Sequence, residues 1–474
     1  MTRKITIEPV TRIEGHAKVT IHLGDDGKVR QAYLHVNEFR GFEKFSEGRM
    51  FFEMPSITPR ICGICPVSHH LASAKATDAI IGVQPTRTGS MLRELMHMGQ
   101  IIQSHSMHFF ELAGPDLLLG FDAEPAKRNV VGLVEANPAL ALKAVSLRKY
   151  GQEVIRLLGE KRIHPEFAVP GGVNAALKPE ARDQMLAGAE EMKGYIREGV
   201  GIAKGWLDSH QDYAQGFASF PCGYLGTSAA DGGLNLYEGM LRLIDCNGTK
   251  LDEFSACDYA QHIGEHVEPW SYLKFPFYRR LGWPDGVYRV GPLARLNVAD
   301  HIGTPLANDE HQEWKRINGG KPVQGTLYYH YARMIEALYG IERLQQLLDD
   351  PEIMSKDVCA FSGQITGHGV GCLEAPRGTL MHDYHTDSEG KLTAVNLIIA
   401  TGHNNWAMCK SVDEVAKAYV DGGNLTEGML NRVEAAIRAY DPCLSCSTHA
   451  VGQMPLEVVV YGADGEELNR VVRG

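Results

Sequence analysis

Arg60-Ile61-Cys62-Gly63-Ile64-Cys65-Pro66-Val67-Ser68-His69, near the start of the chain, is echoed near its end by Asp441-Pro442-Cys443-Leu444-Ser445-Cys446-Ser447-Thr448-His449. A Cys-x-x-Cys unit points two sulfurs at one ion because the intervening residues complete roughly one turn, so two units can supply four soft donors to nickel, iron or zinc. Small zinc modules close on Cys pairs a few tens of residues apart. Here most of the protein lies between the pairs, so a shared site demands a fold that brings its two ends together.

The rest of the composition is that of a globular protein with a large core: 474 residues, 44% hydrophobic and 22% charged. Ends that share a site argue for one interwoven unit over 1–474. Within it, 1–60 reads as an N-terminal sheet region, 61–449 as a helical core holding both cysteine motifs, and 450–474 as a C-terminal extension. A net charge of -11, with no dense Lys/Arg run, excludes nucleic acid or an anionic membrane as the principal partner. The first residues run straight into a strand pattern without an apolar signal segment. No apolar run approaches the length of a membrane-spanning helix, so direct membrane insertion is not expected. The expected location is the cytoplasm, where two Cys-x-x-Cys units read as metal ligands rather than disulfides. The other six of the ten cysteines, Cys222, Cys246, Cys257, Cys359, Cys372 and Cys409, are scattered singly. Most read as buried small apolar residues, and without a third Cys pair no iron-sulfur cluster is expected in this chain.

The fold class is α+β, mainly helical, with a long-helix bundle as its core and small peripheral antiparallel sheets. Alternation predicts strands over Lys4 to Val10, Ala17 to Leu23 and Val29 to Val36, with a turn at Gly24-Asp25-Asp26-Gly27. Helical patterning begins near Pro66. Leu92, Leu95, Ile102, Phe109 and Leu112 fall near one face of a helix ending at Gly114-Pro115, and a second apolar stripe runs from Thr326 to Asp349. Most residues of those stripes are core. Pro170-Gly171-Gly172, Trp283-Pro284-Asp285-Gly286 and Asn318-Gly319-Gly320 mark loops. Leu456 to Tyr461 and Leu468 to Val472, around Gly462-Ala463-Asp464-Gly465, predict a terminal hairpin. Asp441-Pro442 resembles a helix start, with Asp as N-cap and Pro first in the helix. That would place Cys443 and Cys446 in a first turn, where the helix dipole favours thiolate. Four thiolates still need cations, and spacing alone leaves a closed zinc site and an open two-metal site equally available.

Further local matches separate these. Thr11-Arg12-Ile13-Glu14-Gly15-His16, Arg40-Gly41-Phe42-Glu43, both cysteine motifs, and Glu374-Ala375-Pro376-Arg377-Gly378-Thr379-Leu380-Met381-His382 together resemble the large, catalytic subunit of a [NiFe]-hydrogenase, in that family's order and across almost the whole chain. The resemblance implies that Cys62 and Cys443 are terminal nickel ligands, while Cys65 and Cys446 bridge nickel to an iron carrying carbon monoxide and cyanide. It implies reversible heterolytic cleavage of H2, with Cys443 taking the first proton and Glu14 as the exit relay. Without the resemblance, Glu14 would read as an ordinary surface ion pair. Arg377 would sit above the open metal position or donate to cyanide. Asp116 and Asp441 are the two candidates to hold it, and His69 would hydrogen-bond a bridging sulfur. Lone histidines such as His97, His105 and His330 read as satisfied structural residues. Glu43 and His449 would supply the protein ligands of a magnesium site near the C-terminal end. In the family, maturation proteins install the metals and an endopeptidase cuts just after this histidine, so residues 450–474 would mark an unprocessed form.

Arg40-Gly41-Phe42-Glu43-Lys44-Phe45, the segment Pro284 to Asn297, and Gly452-Gln453-Met454-Pro455-Leu456 look most like the soluble, bidirectional NAD-linked type of hydrogenase. The chain has no glycine-rich dinucleotide fingerprint. The resemblance therefore implies an iron-sulfur small subunit and diaphorase subunits, carrying flavin (FMN) and iron-sulfur clusters, that pass electrons to NAD(P). The alternatives are a hydrogenase linked to another electron carrier, a structural zinc protein, and the quinone-side subunit of respiratory complex I, which lacks the nickel thiolates.

Overall fold

The computed structural model describes residues 4–448 apart from 39 and 362, together with the backbone of the strands Leu456–Tyr461 and Glu467–Arg473. Strands Lys4–Ile7, Lys18–Leu23 and Val29–His35 form the expected N-terminal sheet, antiparallel and in sequence order. Alternation sends Val19, Ile21 and Leu34 inward, each fully buried. The third strand lies on helix Asn405–Tyr419, so the two ends of the chain share a core.

Four long helices, Arg87–Met107, Pro138–Gly159, Pro179–Ser209 and Tyr329–Asp349, pack together as the bundle. The stripe from Thr326 to Asp349 begins as a short 3₁₀ turn, Thr326–Tyr328, before the α-helix. The helix from Arg87 does not stop at Gly114-Pro115. It widens into a π-helical segment at His108–Ala113 and resumes as Gly114–Leu119. Pro115 stands in the first turn of the resumed helix, where its missing N–H leaves no bond unmade.

A three-stranded antiparallel sheet, His368–Ala375, Gly378–Thr386 and Leu392–Ile398, lies inside the molecule. Its first strand rests directly on helix Pro66–Ile80, and a Cβ at Gly371 would collide with the Ala72 carbonyl oxygen. This contact holds the turn carrying Arg377 over the start of the helix that follows Cys65. A further sheet combines Gly223–Ser228, Met240–Ile244 and Lys250–Phe254 with one parallel strand, Tyr288–Arg289. The terminal pair Leu456–Tyr461 and Glu467–Arg473 is antiparallel, as expected; its turn lies outside the described residues. Of the six single cysteines, Cys222 and Cys372 are buried, Cys257 is exposed and the others are intermediate. Among the described residues, no helix is long and apolar enough to cross a membrane.

Candidate metal centre

Residues 11–15 run alongside the second cysteine motif. Glu14 N–H donates to the Pro442 carbonyl at 3.3 Å, and Leu444 N–H donates to the Glu14 carbonyl at 3.1 Å. Gly15 has φ +84°, and a Cβ there would lie 2.9 Å from both Leu444 Cβ and Ser445 N. Only glycine permits this approach without strain. It brings the Glu14 carboxylate to Cys443, with Cys443 Sγ donating to Oε2 at 3.0 Å and Ser445 N–H donating to the same oxygen at 3.1 Å.

The four cysteines meet. Cys62 Sγ lies 3.3 Å from Cys443 Sγ, Cys65 Sγ lies 3.8 Å from Cys446 Sγ, and all four sulfurs fall within 4.8 Å of one another. Each is buried. Cys65 immediately precedes helix Pro66–Ile80, and Cys62 Sγ accepts the N–H groups of Ile64 and Cys65 at 3.2 and 3.4 Å. On the other side, the short helix starts at Leu444. Asp441 is not its N-cap: the residue has φ 55° and its carboxylate is engaged by Arg377. Glu14, from the other end of the chain, instead takes the Ser445 N–H that a cap would take.

The sulfurs cannot all be anions unaided. Hydrogen bonds from Cys443, Cys446 and Cys62 hold Cys65 well below the ordinary thiol range. Burial pushes Cys443 and Cys446 well above it, helped at Cys443 by its sulfur neighbours. An array of four thiolates is therefore not one that the protein stabilises alone. Cations of soft or borderline character would complete it, and the donor set fits them.

Arg377 and Asp441 stand beside the cluster, 2% and 1% exposed. Arg377 Nε donates to the Asp441 carbonyl at 2.7 Å and Nη2 to Asp441 Oδ1 at 2.9 Å. Nη1 and Asp441 Oδ2 have no hydrogen-bond partner. Burial raises Asp441 to about 6 against the pull of Arg377 and Arg333. Burial would lower Arg377, but Asp441 and the thiols Cys443, Cys65 and Cys62 outweigh it and raise its pKa. Asp116, the other candidate, does not hold Arg377. It accepts from Arg12 at 2.6 Å and from Asn431 at 3.0 Å, and it pairs closely with Arg438. Arg128 Nε stands 3.8 Å from it as well, and a buried carboxylate already compensated by these guanidiniums has no reason to turn to Arg377.

His69 adds a little to the lowering of the Cys65 pKa, but its Nε2 has no hydrogen-bond partner, so the expected bond to a bridging sulfur is not formed in this structure. Behind His69 runs a buried chain that residue type alone did not disclose: His69 Nδ1 to His382 Nε2 at 3.2 Å, His382 Nδ1 to the Tyr384 hydroxyl at 2.6 Å, and that hydroxyl donating to Ser73 Oγ at 3.0 Å. Another group without a sequence signal is Arg295. It bonds Glu336 of the helix Tyr329–Asp349, and also Glu374 and the carbonyls of Ala375 and Pro376, which immediately precede Arg377. Glu43 accepts the Leu397 N–H at 2.8 Å, and burial raises its pKa. With Ser447 and Glu265 it lines a cavity of about 20 Å³, large enough for one water or ion. His449 lies outside the described residues.

Comparison with known proteins agrees with this geometry. The chain matches the nickel-dependent hydrogenase family over residues 40–129 and 241–449, and a HoxL-like family over 4–39. It is 45% identical to the NAD-reducing hydrogenase HoxS subunit beta of Cupriavidus necator, over 100% of each chain. It is 44% identical to one chain of the F420-non-reducing hydrogenase vhu of Methanococcus voltae, over 87% of this chain and 98% of that one. The crystal structure of an NAD+-reducing [NiFe]-hydrogenase in the H2-reduced state superposes with TM-score 0.92 at 46% identity, covering 94% of this chain and 100% of that one.

Proposed function

The chain belongs to the nickel-dependent hydrogenases, as a catalytic large subunit with nickel and iron in its active site, and on that footing we propose the residues that do the work. Cys62, Cys65, Cys443 and Cys446 would hold the metals, Cys62 and Cys443 as donors to nickel and Cys65 and Cys446 as donors to both nickel and an iron that would carry carbon monoxide and cyanide. When bound, these metals supply the redox and Lewis-acid chemistry that splits H2 overall into two protons and two electrons.

The observation that carries the reading is Cys443 Sγ donating to Glu14 Oε2 at 3.0 Å inside the four-sulfur cluster. A carboxylate at that distance takes a proton from the sulfur directly, and Glu14 is only partly buried, so it can pass the proton outward. Arg377, fixed by Asp441, leaves Nη1 free to donate to a ligand or substrate beside the metals. His69, oriented by His382, steadies Cys65. Glu43 and His449 hold a magnesium ion once residues 450–474 have been removed by an endopeptidase.

Electrons leave through an iron-sulfur small subunit to flavin-bearing diaphorase subunits and NAD(P), as the likeness to the NAD-reducing hydrogenase of Cupriavidus necator suggests. A comparable likeness to F420-non-reducing hydrogenases favours a second reading, in which another carrier takes the electrons. The test is infrared spectroscopy of the complex purified anaerobically from its native host, with intact mass of this chain. Metal-bound carbon monoxide and cyanide bands, with H2-dependent NAD reduction, are expected. Their absence from chain ending at His449 overturns the assigned centre; bands with reduction of viologen but not NAD select the second carrier.

A further inference from the structure

The hairpin that carries Arg377 at its turn has a second cluster of ligating side chains at its open end. His368 begins the strand His368–Ala375 and stands directly opposite His385 of the strand Gly378–Thr386. Asp383 is two residues before His385, so all three project from one face of the sheet. The imidazoles are stacked, with ring centroids 4.2 Å apart and planes 16° from parallel. His368 Nε2 lies 2.7 Å from Asp383 Oδ1 and His385 Nε2 3.6 Å from the same oxygen. One ligand atom from each residue falls within 4.8 Å of the other two. The imidazoles are about half exposed, at 45% and 51%, whereas the Asp383 side chain is 11% exposed. Its other oxygen, Oδ2, accepts the Tyr259 hydroxyl at 2.7 Å, and that hydroxyl accepts from Asn396 Nδ2 at 2.9 Å. Asp383 is thus oriented from behind, with Oδ1 turned to both imidazoles.

We propose that His368, Asp383 and His385 form a solvent-facing site for a divalent late transition-metal cation such as Zn2+, Co2+ or Ni2+. Two imidazoles and one carboxylate are the donors these borderline ions take, and water completes the coordination. Calcium and magnesium prefer oxygen-rich shells and are poorly served here. Ligands about 2.1 Å from a tetrahedral ion lie about 3.4 Å from one another, and the observed 2.7 and 3.6 Å bracket that separation. Donors fixed on paired strands need only small side-chain rotations to converge. Two imidazoles now compete for one carboxylate oxygen; a cation would satisfy all three. The strand from Arg377 to His385 spans about 25 Å at the usual rise, so this site stands apart from the thiol cluster and takes no part in H2 chemistry. A bound cation would staple the hairpin's open end.

The test is titration of the assembled, metal-loaded complex with Co2+, followed by visible absorption. One equivalent giving ligand-field bands without sulfur-to-cobalt charge transfer, and displaced by Zn2+, is expected. His368→Gln and His385→Gln should each abolish those bands with H2 oxidation unchanged, which also shows that the variants fold. Tyr259→Phe should weaken binding about tenfold by freeing Asp383. Unchanged cobalt binding in the doubly substituted chain, or no such bands in the wild-type complex, overturns the site.

Discussion

Glu14 Oε2 accepts from Cys443 Sγ at 3.0 Å across 429 positions of chain. Backbone bonds fix the pair from both sides, and Ser445 N–H holds the same carboxylate oxygen. Glu14→Gln keeps an acceptor for Ser445 but cannot carry the proton. We expect H2 oxidation to fall about 10²- to 10⁴-fold, with nickel and iron content and melting temperature close to wild type. Elemental analysis beside turnover separates the two; full metal with undiminished turnover removes Glu14 from the proton route.

Arg377 makes two bonds to Asp441, and a lysine ammonium cannot reproduce that fork. Arg377→Lys should retain most stability, because the buried carboxylate keeps a counter-charge, yet lose about 10²-fold or more in turnover as the free Nη1 donor disappears. Arg377→Met leaves Asp441 facing only Arg333 and should cost about 3 kcal/mol or more of stability. Thermal melting of the two variants distinguishes charge from geometry: equal losses would deny Arg377 its placing role.

The features readable from sequence were those carried by local pattern. The cysteine spacing, the apolar period of Tyr329–Asp349 and the alternation of the N-terminal strands each lie within one segment. What escaped depended on competition between distant groups. The family resemblance narrowed the partner of Arg377 to two aspartates, but only the fold shows that Arg12 and Arg438 claim Asp116. Asp441 looked like a helix cap until its carboxylate was taken by Arg377. Gly114-Pro115 looked like a helix end, yet a π-helical turn lets the chain restart with Pro115 at a harmless position.

Arg295 illustrates a support that no motif announces. Its Nε and Nη2 bond Glu336 at 2.6 and 2.5 Å, Nη1 bonds Glu374 at 2.8 Å, and the same guanidinium takes the Ala375 and Pro376 carbonyls. All three charged side chains are fully buried. Arg295→Met would leave two carboxylates uncompensated, and we expect a loss of about 3–5 kcal/mol. In Arg295→Lys the charge persists but the turn loses bonds, so kcat should fall more than stability. A variant that melts normally and turns over normally would show that the Arg377 turn holds itself.

Acid should destabilise the fold through its buried imidazoles. His70 donates from Nδ1 to the Pro55 carbonyl at 2.6 Å and accepts at Nε2 from Phe167 and Ala168 N–H groups at 3.2 and 2.8 Å. That pattern requires the neutral ring. Burial lowers His70, and likewise His97, His105 and His311, to about 4. In the unfolded chain these rings take a proton near their ordinary pKa of about 6.5. Between those values the unfolded state binds more protons, so stability is full above about pH 6.5 and declines as the pH falls toward 4. Each ring contributes up to about 3 kcal/mol across that window. The carboxyls that burial raises, Asp441 to about 6 together with Glu43 and Glu374, work in the opposite direction, but His330 and His403, lowered to about 3, join the four rings and outweigh them. Melting temperature should therefore be flat from pH 8 to 7 and fall steeply between 6.5 and 5. His70→Asn should melt lower at pH 8 yet lose about 1.4 kcal/mol per pH unit of the acid slope. A wild-type melting temperature that does not change between pH 6.5 and 5 would mean that these rings are already protonated in the folded protein, against the acceptor role of His70 Nε2.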